Sequence, residues 1–543
     1  MAVTRGFRAN LESGGSRHRS ALAVTAVGVA LTLGLAGCTS SGGGGQSGSA
    51  APMKNPPKIT IGEAFVHPAD LEVPGLSGQR ALSSTGSEAR WAYLPGEQPF
   101  NDTLSDLVGS YLQAQAQTRD LSYSPEAQPQ NAELLNRGCI AGSTALTGRE
   151  ILDNPDLALT PGAETQLAIA CEPILASGTV FGERLRFVRG NATEVVSDAV
   201  EVLYTDTATG DVARGRDLVL DSALPVLYDS LFELLKLEQP MSGDEVIPPS
   251  AETLHDLKES LSNVGFNAKG DMVVTVDRNF IAVIGSGNPA FTPAATTLVI
   301  PAARATELLE PLGQSISAAV AQDLEWSGPA PVPSGEEYVD CGLVPCVAVT
   351  YDDGPSYLTP SVLDVYAERD HAAATFFVLG QNIPGNEEIL ARAAEEGNEI
   401  ANHSWDHPAF TTVSDEGIRS QIDRTNELIT EATGQTVKVM RPPYGDLNDR
   451  TLATTGLPAI LWSVDTNDWQ HPGGDVVVRR AVDEARPDGI ILMHDIHDDT
   501  VAVAAQVADE LLERGYTLVT VSQLMEGVDL GPTFYYSAEG LRS

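Results

Sequence analysis

The last third of the chain alternates short apolar runs with longer stretches of helical period. The apolar runs predict β-strands at 347–351, 374–379, 399–401, 438–440, 459–464, 490–493 and 517–521. The stretches between most of them predict helices at about 358–369, 386–396, 415–433, 475–485 and 499–514. Strands that alternate with helices predict a parallel sheet. The sequence therefore predicts an α/β domain of the distorted (β/α)7-barrel type, in which active groups gather at the carboxyl ends of strands.

Residues 58–327 carry a less regular mixture of strand and helix patterns. Strands are predicted at 185–188, 200–204, 272–276 and 282–284, and helices at 224–237, 253–263 and 302–312. This mixture predicts an α+β N-terminal region, with room for two subdomains. A Pro-rich linker at 328–339 separates it from the barrel domain, which is predicted at 340–527, and residues 528–543 follow as a C-terminal tail.

The first 37 residues have the pattern of an export signal. Four arginines precede an apolar and small-residue run at 21–37, which is short for a membrane-spanning helix of ~20 apolar residues. The run ends in Leu-Ala-Gly before Cys38 and resembles a bacterial lipobox, which implies cleavage before Cys38 and a lipid anchor on its sulfur. Residues 38–57, rich in Ser, Gly and Pro, then form a tether. The predicted location is extracytoplasmic, as a cell-membrane lipoprotein that faces the wall; the alternative is an ordinary secretory signal with a chance cysteine.

The charge balance disfavours one class of partner. The chain of 543 residues has 33 Lys and Arg against 74 Asp and Glu, which gives a formal charge of −41. An acidic surface repels phosphate backbones, so no nucleic-acid partner is predicted. The acidic excess is typical of a solvated surface that keeps an exported protein soluble.

Four cysteines remain after Cys38, namely Cys139, Cys171, Cys341 and Cys346. An even number of cysteines in an exported chain permits disulfides. Of the three connectivities, the most economical pairs the neighbours in sequence, 139 with 171 and 341 with 346. A four-cysteine zinc site would need two closely spaced pairs, and the first two cysteines are not such a pair.

Two short stretches predict a metal site. Asp352 and Asp353 follow the first barrel strand, so one carboxylate can bind a cation while the other acts as a base. His403 and His407 are four residues apart, and a helical turn would place both imidazoles on one side. Two histidines with one carboxylate suit one divalent metal ion, with zinc favoured and cobalt or nickel as alternatives. The competing interpretations are a turn that caps the next helix and a chance surface pair of histidines.

Two further stretches supply the other groups that hydrolysis requires. Arg441 closes a strand, and its guanidinium near Asp352 would hold that carboxylate ionised. The amide of Tyr444 is a conspicuous donor because the two residues before it are prolines. Asp468 can fix the tautomer of His494 and raise its pKa, which makes a competent general acid. The alternatives are a rigid turn with a surface arginine and a core histidine with a structural partner.

Together with Leu492, which precedes His494 by two residues, these stretches resemble the polysaccharide deacetylase (NodB-homology) family, carbohydrate esterase family 4, whose five motifs occur in order over about 345–525. One departure is Tyr351, where phenylalanine is commoner. The resemblance implies Asp352 as the base, a metal bound by Asp353, His403 and His407, and His494 as the acid. It also implies orienting roles for Arg441 and Asp468, an oxyanion donor at the Tyr444 amide, and an acetyl-methyl pocket lined by Trp469 and Leu492.

The resulting hypothesis is a metal-dependent hydrolase that removes N-acetyl groups from a cell-wall polysaccharide, with peptidoglycan favoured because of the predicted location. One alternative is an O-acetyl (xylan-type) or chitin-type deacetylase with the same groups. Another is a non-catalytic wall-binding or signalling lipoprotein in which residues 58–327 carry the function. The predicted partners are the polysaccharide and, through Cys38, the membrane.

Overall fold

The computed structural model describes residues 57–63, 71–129, 137–159, 162–238, 248–285, 290–531 and 533–541. All of them belong to one compact unit, Asn55–Ser543. The predicted signal at 1–37 and the lipidation site Cys38 lie outside the described residues. Within the described residues, no helix has both the length and the apolarity to cross a membrane. We call residues 57–339 the N-terminal region and residues 340–541 the C-terminal region.

The N-terminal region contains ten described strands and seven described helices. The strands are β1 Thr60–Ile61, β2 Ser77–Ser83, β3 Ser87–Tyr93, β4 Gln166–Ser177, β5 Val180–Gly190, β6 Val195–Asp206, β7 Asp211–Arg214, β8 Leu261–Phe266, β9 Met272–Val276 and β10 Thr296–Ile300. The helices are α1 Pro99–Gln117, α2 Gly148–Asp153, α3 Leu224–Glu238, α4 Ala251–Ser260, α5 Arg278–Gly285, α6 Ala302–Ala305 and α7 Pro311–Ala321. One mixed sheet has the order β2-β3-β4-β5-β6-β7, and an antiparallel sheet has the order β1-β10-β9-β8.

Three local predictions for this region were wrong. The strand predicted at 282–284 is part of α5, because its apolar residues follow a helical face on which Phe280 and Ile281 are buried while Val283 is exposed. A short apolar run does not distinguish the two structures. The helix predicted at 253–263 ends at Ser260, where β8 begins, and the one predicted at 302–312 is split between α6 and α7.

The C-terminal region contains eight described strands and eight described helices. The strands are β11 Cys346–Asp352, β12 Thr375–Val378, β13 Glu399–Asn402, β14 Ala459–Ile460, β15 Val464–Asp465, β16 Gly489–His494, β17 Thr517–Leu518 and β18 Phe534–Tyr535. The helices are α8 Thr359–Ala367, α9 Glu387–Glu395, α10 Asp415–Thr433, α11 Asp449–Thr455, α12 Gly474–Asp483, α13 Asp498–Val501, α14 Ala504–Glu513 and α15 Val521–Leu524.

The parallel strands of this region form an incomplete ring. They pair in the order β13-β12-β11-β16-β15, and β17 pairs with the start of β11. Beyond β13 the ladder continues through single bridges from Asn402 to Met440 and from Met440 to Ala459. The ladder of paired strands therefore has β14 at one end and β15 at the other. These two strands are consecutive in the chain and are separated by residues 461–463. The fold is mixed α/β and consistent with a distorted barrel, although the described strands do not pair into a closed ring.

Local sequence explains why these elements form where they do. Strand β11 is buried along its whole length, as expected for a parallel strand covered on both faces. Helix α10 begins after Ser414, whose side chain accepts a hydrogen bond from the Gly417 N–H, and ends at Gly434 in the left-handed conformation. Its buried residues Ile418, Ile422 and Ile429 recur at helical spacing and fix the face that packs inward.

The N-terminal region packs against the end of the parallel sheet where the strands begin. Tyr123 donates a hydrogen bond to the carbonyl of Leu343, just before β11, and Arg137 donates to Thr517 at the start of β17. One hydrophobic core continues across this contact and includes side chains of both regions, for example Trp91, Tyr93, Ala348, Phe377 and Ile490. The opposite end of the sheet, where Asp352 and His494 close their strands, is left free of these contacts.

Replacing Trp91 by alanine tests whether the two regions are one folding unit. Trp91 is fully buried in the shared core, so Trp91→Ala should lower the free energy of unfolding by about 3–5 kcal/mol. We expect circular dichroism during urea denaturation to show the whole transition move to lower urea. Leu121→Ala, at an exposed position, is the control and should change stability by no more than about 0.5 kcal/mol. Two transitions, only one of which moves, would contradict a shared core.

Candidate active site

A buried ion pair holds the first carboxylate of the site. Asp352 closes β11 and is 3% exposed, and Arg441 is fully buried. The Arg441 Nη1 atom donates to Asp352 Oδ1 at 2.7 Å and to the Thr350 hydroxyl at 2.7 Å, while Nε and Nη2 donate to the carbonyls of Ile460 and Leu461. Burial raises the pKa of Asp352, and the guanidinium opposes that rise. The carboxylate is thereby fixed in orientation, with its other oxygen 3.6 Å from His403 Nε2.

Asp353, His403 and His407 are brought together as the sequence predicted for a metal site. Asp353 Oδ1 lies 3.5 Å from His403 Nε2 and 3.4 Å from His407 Nε2, and the candidate ligand atoms are all within 4.8 Å of one another. Two further observations fit a cation here. Asp353 Oδ1 is buried without a hydrogen-bond partner among the described residues. Burial lowers the pKa of His403 to about 3, so its imidazole is neutral, as a metal ligand must be.

The backbone conformation between His403 and His407 differs from the predicted helical turn. The segment between them is not a helical turn, because Ser404 and His407 have positive φ angles of 81° and 63°. The Ser404 amide donates to the side chain of Asn402, and the Ser404 hydroxyl accepts from the His407 amide at 3.0 Å. These local hydrogen bonds replace helical ones and leave the imidazole ring centroids 5.0 Å apart. The Nδ1 atom of His403 lies 2.7 Å from the Arg441 carbonyl oxygen, which directs Nε2 toward Asp353.

His494 and Asp468 form the predicted acid pair. His494 closes β16 and is the register partner of Asp352 in the neighbouring strand. Its Nδ1 lies 2.8 Å from Asp468 Oδ1, and the fully buried Asp468 carboxylate also accepts bonds from the His494 amide and the Thr500 hydroxyl. Burial alone would lower the pKa of His494, but Asp468, together with the charges of Asp352 and Asp353, raises it to about 9. The imidazole is therefore protonated at neutral pH.

The predicted substrate-binding residues differ in exposure. Tyr444 has a positive φ of 59°, its ring packs edge-on against His407 at 4.4 Å, and its side chain is 71% exposed. Among the described residues, nothing accepts a hydrogen bond from the Tyr444 amide. Trp469 is 53% exposed beside Asp468, whereas Leu492 is buried within β16. The site thus has an exposed aromatic rim and an apolar interior.

The four described cysteines are paired by sequence proximity. Cys139 is bonded to Cys171 with an S–S distance of 2.06 Å, and Cys341 is bonded to Cys346 with 1.98 Å. Neither pair contributes a sulfur to the group formed by Asp353, His403 and His407.

Three buried polar residues support the site without having been singled out from the sequence. Thr350 accepts from Arg441, and Thr500 holds the second oxygen of Asp468. Asp495 is fully buried, and its carboxylate accepts from the Thr359 hydroxyl and so joins β16 to the start of α8. Thr350 lies two residues before Asp352, and this position in the sequence could have indicated its role. Thr500 lies in the short helix α13, and nothing in the surrounding sequence indicates its contact with Asp468.

Comparison with known proteins places this geometry in a family. The model of the family described as polysaccharide deacetylase matches residues 341–458. A chitooligosaccharide deacetylase of Sinorhizobium fredii is 35% identical over 197 residues, which cover 33% of this chain and 91% of that protein. The chain belongs to the polysaccharide deacetylase family. The match to the family model ends before Asp468 and His494, and the contacts of those two residues extend the site to the last strands.

Two longer relatives are similar over the same part of the chain. The peptidoglycan-N-acetylglucosamine deacetylase PgdA of Listeria monocytogenes is 39% identical over 191 residues, 35% of this chain and 41% of that protein. The peptidoglycan-N-acetylmuramic acid deacetylase PdaC of Bacillus subtilis is 37% identical over 180 residues, 33% of this chain and 38% of that protein. The chain thus spans about two fifths of these relatives, and the domain boundaries outside 341–458 stay predictions.

Removing one histidine tests the metal site without recourse to activity. Loss of partners that only orient metal ligands already weakens metal binding by about 10- to 100-fold, so His403→Ala should reduce zinc affinity by about 100-fold or more. The measurement is metal content after dialysis against limiting zinc. His255→Ala, which removes an exposed imidazole, is the matched control. Unchanged zinc content in His403→Ala would overturn the assignment of this ligand.

Proposed function

We propose that the protein is a metal-dependent deacetylase that removes N-acetyl groups from a cell-wall polysaccharide, with peptidoglycan as the favoured substrate. The observation that carries the proposal is the juxtaposition of three unlike groups. An oriented carboxylate at Asp352 and a protonated imidazole at His494 flank the Asp353, His403 and His407 group at one end of the sheet. Amide hydrolysis needs such a base, a bound electrophile and an acid together.

The metal ion would be held by Asp353 Oδ1 and by the Nε2 atoms of His403 and His407. These are hard oxygen and imidazole ligands that suit zinc, with cobalt or nickel as alternatives. When bound, the ion supplies Lewis acidity toward water and toward the acetyl carbonyl oxygen. The remaining chemistry is derived from the side chains and amides of the chain itself.

Asp352 takes the proton of the attacking water as the water oxygen adds to the acetyl carbon. Arg441 aims the carboxylate and favours its ionised form. The Tyr444 amide donates to the oxyanion that develops on the carbonyl oxygen, and such a donor contributes about 3 kcal/mol. His494 then donates its proton to the departing sugar nitrogen, so the C–N bond breaks to give acetate and a free amine. Trp469 and Leu492 surround the acetyl methyl group and exclude water from it.

The favoured substrate follows from the relatives and the proposed location. The names of the Listeria and Bacillus relatives specify the two amino sugars of peptidoglycan. We infer that the chain meets the same polymer because its first 38 residues have the pattern of a lipoprotein signal, which would anchor it by lipid at Cys38 outside the cell membrane. The second candidate is a chitin-type substrate, favoured by the relative from Sinorhizobium fredii. An O-acetylated, xylan-type glycan would use the same groups.

Acetate release from purified polymers tests the proposal. We expect more acetate from peptidoglycan than from chitin oligomers or acetylated xylan, abolition of release by a chelator and recovery with zinc. Asp352→Asn should keep its metal but lose activity by about 100-fold or more, because it removes the base. Asp370→Asn, an exposed carboxylate outside the site, is the control. Preferential release from xylan would indicate an O-deacetylase, and metal and glycan binding without acetate release would indicate a non-catalytic protein.

The pH profile of turnover tests the acid pair. His494 should be protonated below about pH 9 and neutral above it, so kcat should fall as pH rises through 9. In Asp468→Asn the burial of His494 remains while the largest contribution that raises its pKa is lost, so the fall should move to a lower pH. Asp483→Asn, which removes an exposed carboxylate paired with Arg514, should leave the profile in place. An alkaline limb that stays near pH 9 in Asp468→Asn would refute the role of Asp468.

A further inference from the structure

The two sulfurs of the disulfide in the N-terminal region have unequal surroundings. Cys171 lies in the middle of β4 and is fully buried in the shared core. Cys139 is only half-buried and forms part of the wall of a cavity of about 330 Å³. Arg137, Glu172 and His371 line the same cavity. Cys139 lines this cavity and Cys171 does not, so a small molecule in the cavity would approach the disulfide from the side of Cys139.

A buried carboxyl group adjoins the same disulfide. Glu183, on β5, is fully buried, and its Oε1 atom lies 3.6 Å from Cys139 Sγ while accepting a hydrogen bond from the Ala92 amide. A Glu183 oxygen and both sulfurs lie within 4.8 Å of one another. Its Oε2 atom has no hydrogen-bond partner among the described residues. Burial raises the pKa of Glu183 to about 8, so the group carries a proton at neutral pH and can give it to a neighbouring sulfur.

We propose that the Cys139–Cys171 disulfide is a thiol-exchange site, at which a small thiol becomes attached to Cys139 with Glu183 as the proton donor. The thiolate of the small molecule attacks Cys139 Sγ, forming a new S–S bond to Cys139 and breaking the old one. The electron pair of the broken bond goes to Cys171 Sγ, which takes the proton of Glu183. The products are a mixed disulfide at Cys139, a neutral thiol at Cys171 and a carboxylate at Glu183.

The surroundings of Cys171 explain why this step needs a proton donor. A thiolate leaving group in an apolar core is strongly disfavoured unless it is protonated as it forms. Once protonated, the buried Cys171 thiol is a weak nucleophile, because only the thiolate attacks a disulfide. The reverse step requires the Cys171 thiol to return its proton to the Glu183 carboxylate, and the adduct accumulates when the small thiol is in excess.

The second disulfide supplies an internal control. Cys341 and Cys346 are both buried, at 3% and 0% exposure. Among the described residues, no histidine, aspartate or glutamate ligand atom lies within 4.8 Å of both of their sulfurs. The same thiol in the same solution should therefore exchange with this disulfide much more slowly.

Exposure of the purified full-length protein to 2-mercaptoethanol tests the proposal. After quenching by alkylation and proteolysis, mass spectrometry should find the adduct on Cys139, an alkylated Cys171 and an intact Cys341–Cys346 bond. Glu183→Gln, which keeps an acceptor for the Ala92 amide, should slow formation of the adduct at pH 7 by about tenfold or more. Glu164→Gln removes an exposed carboxylate and should leave the rate unchanged.

The pH dependence gives a second, independent measurement. Since Glu183 holds its proton below about pH 8 and loses it above, the ratio of wild-type to Glu183→Gln rates should be large at pH 7 and approach one above pH 9. If the variant does not fold by circular dichroism, the wild-type rate divided by the thiolate concentration should still decline between pH 7 and 9. An adduct on Cys171, an equal rate at the second disulfide, or a ratio of one at pH 7 would overturn the proposal.

Discussion

The site depends on the buried contact between Arg441 and Asp352. The guanidinium donates hydrogen bonds to the carbonyl of Ile460, which ends β14, and to that of the next residue, Leu461. It also donates to the Thr350 hydroxyl and to the Asp352 carboxylate. These groups come from two parts of the ring, β11 and the end of β14, which the arginine side chain joins. A charged pair in such a position is stabilised because all three guanidinium nitrogens donate hydrogen bonds. A single side chain therefore both joins two parts of the ring and orients the Asp352 carboxylate.

The same residue also acts through its backbone. The Arg441 carbonyl accepts from His403 Nδ1, while its side chain orients Asp352. The proposed base and one proposed metal ligand are thus positioned by a single residue. The left-handed backbone of Asp353, His407 and Tyr444 adds further constraint, since non-glycine residues adopt this conformation at an energetic cost of about 1–3 kcal/mol each. The surrounding hydrogen bonds must maintain these angles.

The parts of the structure that depend on short-range pattern were predictable from the sequence. Strand β11 and helix α10 lie at or within a residue of their expected bounds, because burial on both faces and capping leave clear marks. The grouping of Asp353, His403 and His407 and the pairing of His494 with Asp468 were predictable because these residues lie at or shortly after the ends of strands. The backbone between His403 and His407 was not, since it is set by the side chains of Asn402 and Ser404. The interruption between β14 and β15 at 461–463 could not be predicted from the sequence, because that stretch is as apolar as a strand.

The position of the N-terminal region has a consequence for the geometry of the reaction. Its contacts are made at the end of the parallel sheet where strands start, through Leu343 and Thr517. The face with the exposed rings of Tyr444 and Trp469 is the other end. For the proposed polysaccharide substrate, this arrangement would let a long strand lie across that face and extend on both sides of it, so that acetyl groups in the interior of a polymer would be accessible as well as those at its ends.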